Sequence, residues 1–385
     1  MLLFSDSFFK MSQNQKSFQC SKPIAADLAQ LACTWQAVPI SSALIEVGVP
    51  QLIPADGSGV DVVQIAQQAN VDADLLYKYM RFVSTLGIFK EMPNRHFAHN
   101  ESSKMLLPGQ LTFYRLLFFG STRGGMLTAA EYVTQLKDPS KSAFEHAFKM
   151  PFWQHIAQTP ELEKHFSDFM TIACNQVMLD ILKNTLVELP DTGIVVYVGG
   201  GQGNVLFEFL KAKPELTGII YEMPTMAMQF NEGLKNPNPP SDSIYSKYSV
   251  DVKKRVSIVA DNYTTDFTQL KQLANADVFF FKLVFHNNND AVCNKILAGL
   301  YQVMKPTAKI ILCEVVIKHS PNEWKLSTTL DLNLPLQFNE KVRTKEEWIQ
   351  LLSNGDGYQY NVSFGDCTIC PQIWEMELIT LFKRM

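Results

Sequence analysis

The chain has 385 residues, more than one ordinary core holds, so two or three units of about 150 residues each are expected. Hydrophobic residues make up 46% and charged residues 19%, which is a globular composition and excludes a disordered chain. A formal net charge of -4 and a pI near 6.0 leave no large electrostatic attraction to nucleic acid or an anionic membrane, and no apolar run of about 18 residues is present to span a bilayer.

The opening MLLFSDSFFKM lacks the positive n-region and long apolar stretch of a signal peptide, so a cytoplasmic protein is expected. Met11 is an alternative start, and residues 1–22 read as a polar, flexible segment. Cys20, Cys33, Cys174, Cys293, Cys313, Cys367 and Cys370 are scattered and odd in number, a pattern of reduced thiols and not of a disulfide framework. Cys367 and Cys370 form a lone CxxC without a second pair and read as packed thiols. No acidic cluster has cation-ligand spacing, so no metal is expected.

Residues 23–110 read as a mainly helical unit. An apolar helix from Ala25 to Val47 is ended by Gly48, Pro50 and Pro54. Helices over about 61–69 and 72–86 precede two short strands around 88–91 and 96–98, with Pro93-Asn94 between them, the pattern of a winged helix. In a DNA reader the second helix would be basic. Here Lys78, Arg81, Lys90 and Arg95 are balanced by Asp61, Asp72, Asp74 and Glu91, which favours a structural, dimer-forming role. Residues 111–190 read as linker and pocket helices rich in aromatics. Most of these are core, but Trp153, Phe166, Phe169 and Met170 suit the lining of a pocket for a flat organic ligand.

From 191 to 385 strand and helix alternate. IVVYV, TGIIYE, VSIVA, DVFFFKLV and KIILCEVVI are near-continuous apolar strands, as expected of a parallel sheet covered on both faces. Runs near 358–364 and 373–382 supply a final antiparallel pair. The first strand feeds Gly199-Gly200-Gly201-Gln202-Gly203, which opens a helix. Such glycines allow a sharp turn and close approach of backbone to a ligand. The third glycine of a dinucleotide fingerprint is missing, since Asn204 or Leu206 stands there, and no phosphate-loop lysine follows. That favours a nucleoside without a pyrophosphate. Glu222, at the end of the second strand, can accept hydrogen bonds from ribose hydroxyls, and Asp261, after the third, from an adenine amino group.

In order, GGGQG, YEMP, ADNY, FKLVFHNNNDAVCNKIL, KIILCEVVI and NEKVRTKEEW resemble the motifs of the class I S-adenosylmethionine-dependent small-molecule O-methyltransferases of the caffeate and hydroxyindole type. The likeness extends over about 25–385. It implies an α/β, Rossmann-like methyltransferase domain with a mostly parallel seven-stranded sheet and an antiparallel last strand. A mainly α winged-helix dimerisation domain would precede it, giving a homodimer acting on a small molecule. By resemblance, Gly199, Gly201 and Gly203 face the methionine part of the cofactor, Glu222 holds the ribose, and Asp261 with Asn262 holds the adenine. Lys282 matches the family's lysine near cofactor and substrate, His286 the general base, and Glu314 the first of two acids holding that imidazole.

The chemistry agrees with that assignment. A phenol has a pKa near 10 and imidazole about 6.5, so free proton transfer is uphill by roughly 5 kcal/mol. The proton therefore moves in concert with attack, with the imidazolium stabilised by a carboxylate. Four departures from the family pattern stand out. Tyr197 replaces the usual Asp before the glycine turn, Asn287 and Asn288 replace Asp and Trp after the histidine, and Ala291 replaces a further acid. Val342 takes the place of the second orienting Glu, with Glu340 two positions earlier. They affect the base more than the cofactor site. A second reading is thus a homologue that binds S-adenosylmethionine but performs dehydration or pericyclic chemistry or none, with Asn287 orienting the substrate.

Overall fold

The computed structural model describes residues 34–120, 126–240, 243–264, 273–317, 326–365 and 376–384. The chain divides into two compact units, Met1–Leu127 with Thr159–Ile172, and Thr128–Gln158 with Ala173–Met385.

In the first unit, helix Ala37–Glu46 ends at Val47, and Gly48, in the left-handed region at φ 78°, starts a new short helix, Val49–Leu52. Pro50 sits in the first turn of that second helix, where its missing N–H costs nothing, so only Gly48 acts as the expected break. The part of the expected helix before residue 34 lies outside the described residues. Helices Val62–Ala69 and Ala73–Thr85 begin where Asp61 and Asp72 accept from the amides of Val63 and Leu75, and such caps stabilise by about 1 kcal/mol each. They bury Val62, Ile65 and Ala66 on one helix and Leu76, Met80 and Val83 on the other, spacings of i, i+3, i+4 and of i, i+4, i+7 that each mark one face of an amphipathic helix.

Strands β1 (Val60–Asp61), β2 (Lys90–Met92) and β3 (His96–Ala98) form a small antiparallel sheet in the order β1-β3-β2. The helix pair and wing agree with the sequence expectation, while β1 is an addition that two residues could not announce. Arg95, counted above among the basic groups, bonds Asp74 at 2.9 Å and lies over the Tyr77 ring.

The second unit is built on β4 (Thr192–Val198), β5 (Glu215–Glu222), β6 (Val256–Ala260), β7 (Val278–Lys282), β8 (Lys309–Ile317), β9 (Arg343–Thr344), β10 (Asn354–Gly355), β11 (Tyr358–Phe364) and β12 (Met376–Lys383). The sheet order is β10-β11-β12-β8-β7-β4-β5-β6, and β9 pairs with β8. β4 to β8 are mutually parallel, and β12 runs antiparallel to both β8 and β11. This is the Rossmann-like arrangement, with β12 reversed, that the sequence pattern implies; the two-residue β10 is reversed as well, and with the equally short β9 it brings the sheet to nine strands where seven were expected. Every residue of β7 is buried, because helices cover both faces of a parallel sheet. β4 has β5 on one side and β7 on the other, so chain order reverses there and a crevice opens beyond its carboxyl end.

Cys293 and Cys313 are buried thiols. Cys20, Cys33, Cys367 and Cys370 lie outside the described residues. No helix among the described residues is long and apolar enough to cross a membrane.

Candidate active site

Most of the chemistry-bearing residues of the second unit lie at or just past the carboxyl end of a strand, while Glu314 stands within β8. Beyond β4, Gly199, Gly201 and Gly203 adopt φ 65°, 52° and 78°, conformations that cost other residues about 1 kcal/mol or more. Packing demands two of them. A Cβ at Gly199 would stand 2.8 Å from Val284 Cγ2, and one at Gly203 2.8 Å from Phe230 Cε2. A Cβ at Gly201 would meet nothing within 4 Å, so that side of the turn faces open space.

Glu222, the last residue of β5, is buried and bonded from both sides. Its Oε2 accepts from the Gly201 amide at 2.9 Å and its Oε1 from Met223 at 2.8 Å. Burial raises its pKa, and those two N–H groups oppose the rise. Just past β6, Asp261 donates its amide to the Glu222 carbonyl and accepts from Asn262 N–H on Oδ1. Its Oδ2 is buried with no hydrogen-bond partner among the described residues. A buried orphan carboxylate oxygen is costly, so it calls for a donor from a ligand. The open turn at Gly201, the doubly anchored Glu222 and the orphan oxygen of Asp261 together fit a nucleoside. Asn262 is less available, since its Oδ1 already accepts from the Thr264 amide and hydroxyl.

The second cluster lies beyond β7. Leu283, at φ 55°, turns the chain into a short 3₁₀ segment, Phe285–Asn287, that carries His286. Glu314 of β8, 0% exposed, accepts three hydrogen bonds. Val284 N–H and Phe285 N–H reach Oε1 at 2.8 and 2.7 Å, and His286 Nδ1 meets Oε2 at 2.7 Å. An ionised carboxylate only accepts, so Nδ1 carries a proton, and in the neutral imidazole Nε2 is the nitrogen with the lone pair.

Asn287 and Asn288 turn back on the same loop and donate to the Leu283 and Val284 carbonyls at 3.1 and 2.8 Å. The Asn287 side chain is therefore engaged in shaping the turn, which the sequence could not indicate. Val342 is buried, with no acid at that position. Lys282 ends β7 and is buried, two residues along from Phe280 and so on its face of the sheet. Tyr197, in place of the usual Asp, packs against Phe280 at 5.2 Å.

Trp153 is 46% exposed and stacks on Phe338 at 5.5 Å with the rings 20° apart. Phe166 lies against Phe118 in the first unit, where Met170 is half-buried. Phe169, also expected to line a pocket, is buried against Phe118 and Phe119. Among the described residues no group of three His, Cys, Asp or Glu is arranged to hold a metal ion.

The sequence pattern of the O-methyltransferase domain family matches residues 128–359. The chain belongs to this O-methyltransferase family. O-methyltransferase aurJ of Gibberella zeae is 26% identical over 319 residues, covering 79% of this chain and 70% of that one. Two solved structures share the fold of this O-methyltransferase. The mitomycin 7-O-methyltransferase MmcR superposes with a TM-score of 0.77 at 19% identity over 94% of this chain and 98% of that one. Human N-acetylserotonin methyltransferase, solved in complex with SAM, gives 0.72 at 15% identity over 95% and 99%.

Two residues of the O-methyltransferase escaped the sequence reading. Phe338 shows itself only through its stacking on Trp153, 185 positions away in the chain. Arg343 was visible in NEKVRT, but nothing in that string says that its guanidinium turns inward.

Near this cluster Glu340 has its pKa pushed up to about 7 by burial, against the Arg343 guanidinium and the Asn289 N–H. A carboxyl whose folded pKa exceeds its unfolded one binds more protons when folded, so it lowers stability as pH rises between the two values and by a constant amount above them. Between about pH 4.5 and 7 the protein should therefore lose stability with rising pH through this group. Glu340→Gln should abolish that contribution. Urea midpoints at pH 5 and pH 8 read it: the gap between variant and native chain should move in the variant's favour at pH 8, and a gap independent of pH would refute the assignment.

Proposed function

We propose that this O-methyltransferase methylates a hydroxyl of a small aromatic or natural-product substrate from S-adenosylmethionine, with His286 as general base. One observation carries the reading. Glu314 holds His286 Nδ1 at 2.7 Å while binding the two amides that start the same turn, leaving Nε2 as the proton acceptor. Gly199, Gly201 and Gly203 would receive the methionine part of the cofactor, Glu222 the ribose, and Asp261 the adenine amino group, with Asn262 beside it. When bound, S-adenosylmethionine supplies an electrophilic methyl group.

The protein's own task is to position and deprotonate the acceptor. His286 takes the hydroxyl proton as the oxygen attacks, and Glu314 stabilises the imidazolium. Lys282 would add positive potential at the strand end, and the exposed Trp153 face, backed by Phe338, would stack on a flat acceptor. The substrates named for the two solved relatives, mitomycin and N-acetylserotonin, are small molecules, in line with this class. Homodimerisation through the first unit goes with the reading, supported by the exposed Trp35, Val38 and Val47, and light scattering reads it directly.

Incubation with methyl-labelled S-adenosylmethionine and a panel of phenols tests the activity. Label should appear in at least one phenol. Cofactor binding by calorimetry without label transfer to any acceptor would overturn methylation and favour the non-methylating alternative.

A further inference from the structure

Arg343 stands on β9 and is 1% exposed, a rare state for an arginine unless it is fully paired. Its pairing centres on the turn that carries His286. Nη1 donates to the Phe285 carbonyl at 3.0 Å and Nη2 to the Asn288 carbonyl at 2.9 Å. Nε and Nη2 both donate to Asp290 Oδ1, at 3.0 and 2.7 Å. The guanidinium also lies over the Trp348 ring, 5.2 Å from its centroid. One rigid fork thus grips the residue before His286 and the residue two after it. Its own strand is tied to β8 at Val316, two residues beyond Glu314.

We propose that Arg343 is the positioning residue of the base: it holds the His286 turn by its main-chain carbonyls and so sets where Nε2 points. The inference rests on the assignment of His286 as base. Among the described residues the imidazole has one carboxylate partner, Glu314, and Val342 supplies no second acid. A single Nδ1···Oε2 bond leaves the ring free to swing about that axis, so its orientation depends on the backbone of residue 286. Glu314 fixes the start of that backbone through the Val284 and Phe285 amides, and Arg343 fixes the remainder through the Phe285 and Asn288 carbonyls. Asp290 holds the guanidinium in turn. A lysine cannot replace this arrangement, since its ammonium is a point donor and cannot serve three acceptors in one plane. Displacing a reacting group by about 1 Å costs on the order of 10²-fold in rate.

The decisive experiment needs no known acceptor. In the full chain labelled with ¹⁵N-histidine, the His286 Nδ1–H bonded to Glu314 should give a low-field imidazole resonance, identified by its loss in His286→Ala. In Arg343→Lys that resonance should broaden or move upfield, while those of His99 and His155, in other parts of the chain, stay in place. Once a phenol acceptor is in hand, Arg343→Lys should lower kcat by about 10–100-fold with KM and cofactor affinity within about threefold. Guanidinium ion at low millimolar concentration should partly restore Arg343→Ala, and equal urea should not. If Arg343→Ala fails to fold, Arg343→Lys and Asp290→Asn carry the same measurements. A His286 resonance present and unchanged in Arg343→Lys, with native kcat, overturns the positioning role alone. Absence of that resonance from the native chain overturns the Glu314–His286 pairing itself.

Discussion

His286→Ala should lower kcat by about 10²–10⁴-fold while cofactor affinity stays within about threefold of native. The loss is large because the acceptor proton then has no base to receive it, and a phenol at neutral pH is almost entirely protonated. Cofactor binding is spared because the residues suited to it, the glycine turn, Glu222 and Asp261, make none of their hydrogen bonds to His286. The fold should survive, since Glu314 keeps its bonds to Val284 and Phe285, although its Oε2 loses the imidazole donor at a cost of about 1–3 kcal/mol. Steady-state label transfer gives the rate, and calorimetry with S-adenosylhomocysteine gives the affinity. Turnover equal to native would remove His286 from the mechanism.

Glu314→Gln should be nearly as damaging to turnover, by about 10³–10⁴-fold, for a different reason. The glutamine carbonyl can still accept from Val284 and Phe285. Its NH₂ then faces Nδ1 and can only donate, which forces the imidazole into the tautomer with hydrogen on Nε2. The ring stays in place, and its lone pair points the wrong way. The melting temperature should therefore fall little. Glu314→Ala differs sharply, because it strips the acceptor from three donors in a fully buried site, at about 1–3 kcal/mol each. Comparing kcat with thermal unfolding for the two variants separates chemistry from stability. A glutamine variant with near-native turnover would show that Glu314 merely packs.

Local chemistry made much of this protein readable before any fold was known. Helices over about 61–69 and 72–86 were legible from their apolar spacing, while the capping role of the aspartates at 61 and 72 came with the structure. VFFFK and KIILCEVVI read as doubly covered strands, since only a parallel sheet buries such unbroken apolar runs. The glycines at 199, 201 and 203 pointed to a sharp turn open to a ligand, and the acids at 222 and 261 to strand ends beside it. Those inferences need only a few neighbouring residues.

The proposed base is another matter. His286 and Glu314 are 28 positions apart, and the spacing of strands places both at one sheet edge without saying which way a side chain turns. Whether Asn287 reaches a substrate or its own loop, and whether Arg343 is a surface charge or a buried clamp, depends on atoms contributed by β8, β9 and the turn after β7 together. The chain by itself dictated the strands, the helix pair and the glycine bend, because each is decided by short-range sterics and the burial of apolar faces. Only the tertiary structure decided the hydrogen-bond partners of the buried charges, because such a group takes whichever donors long-range packing brings within about 3 Å of it.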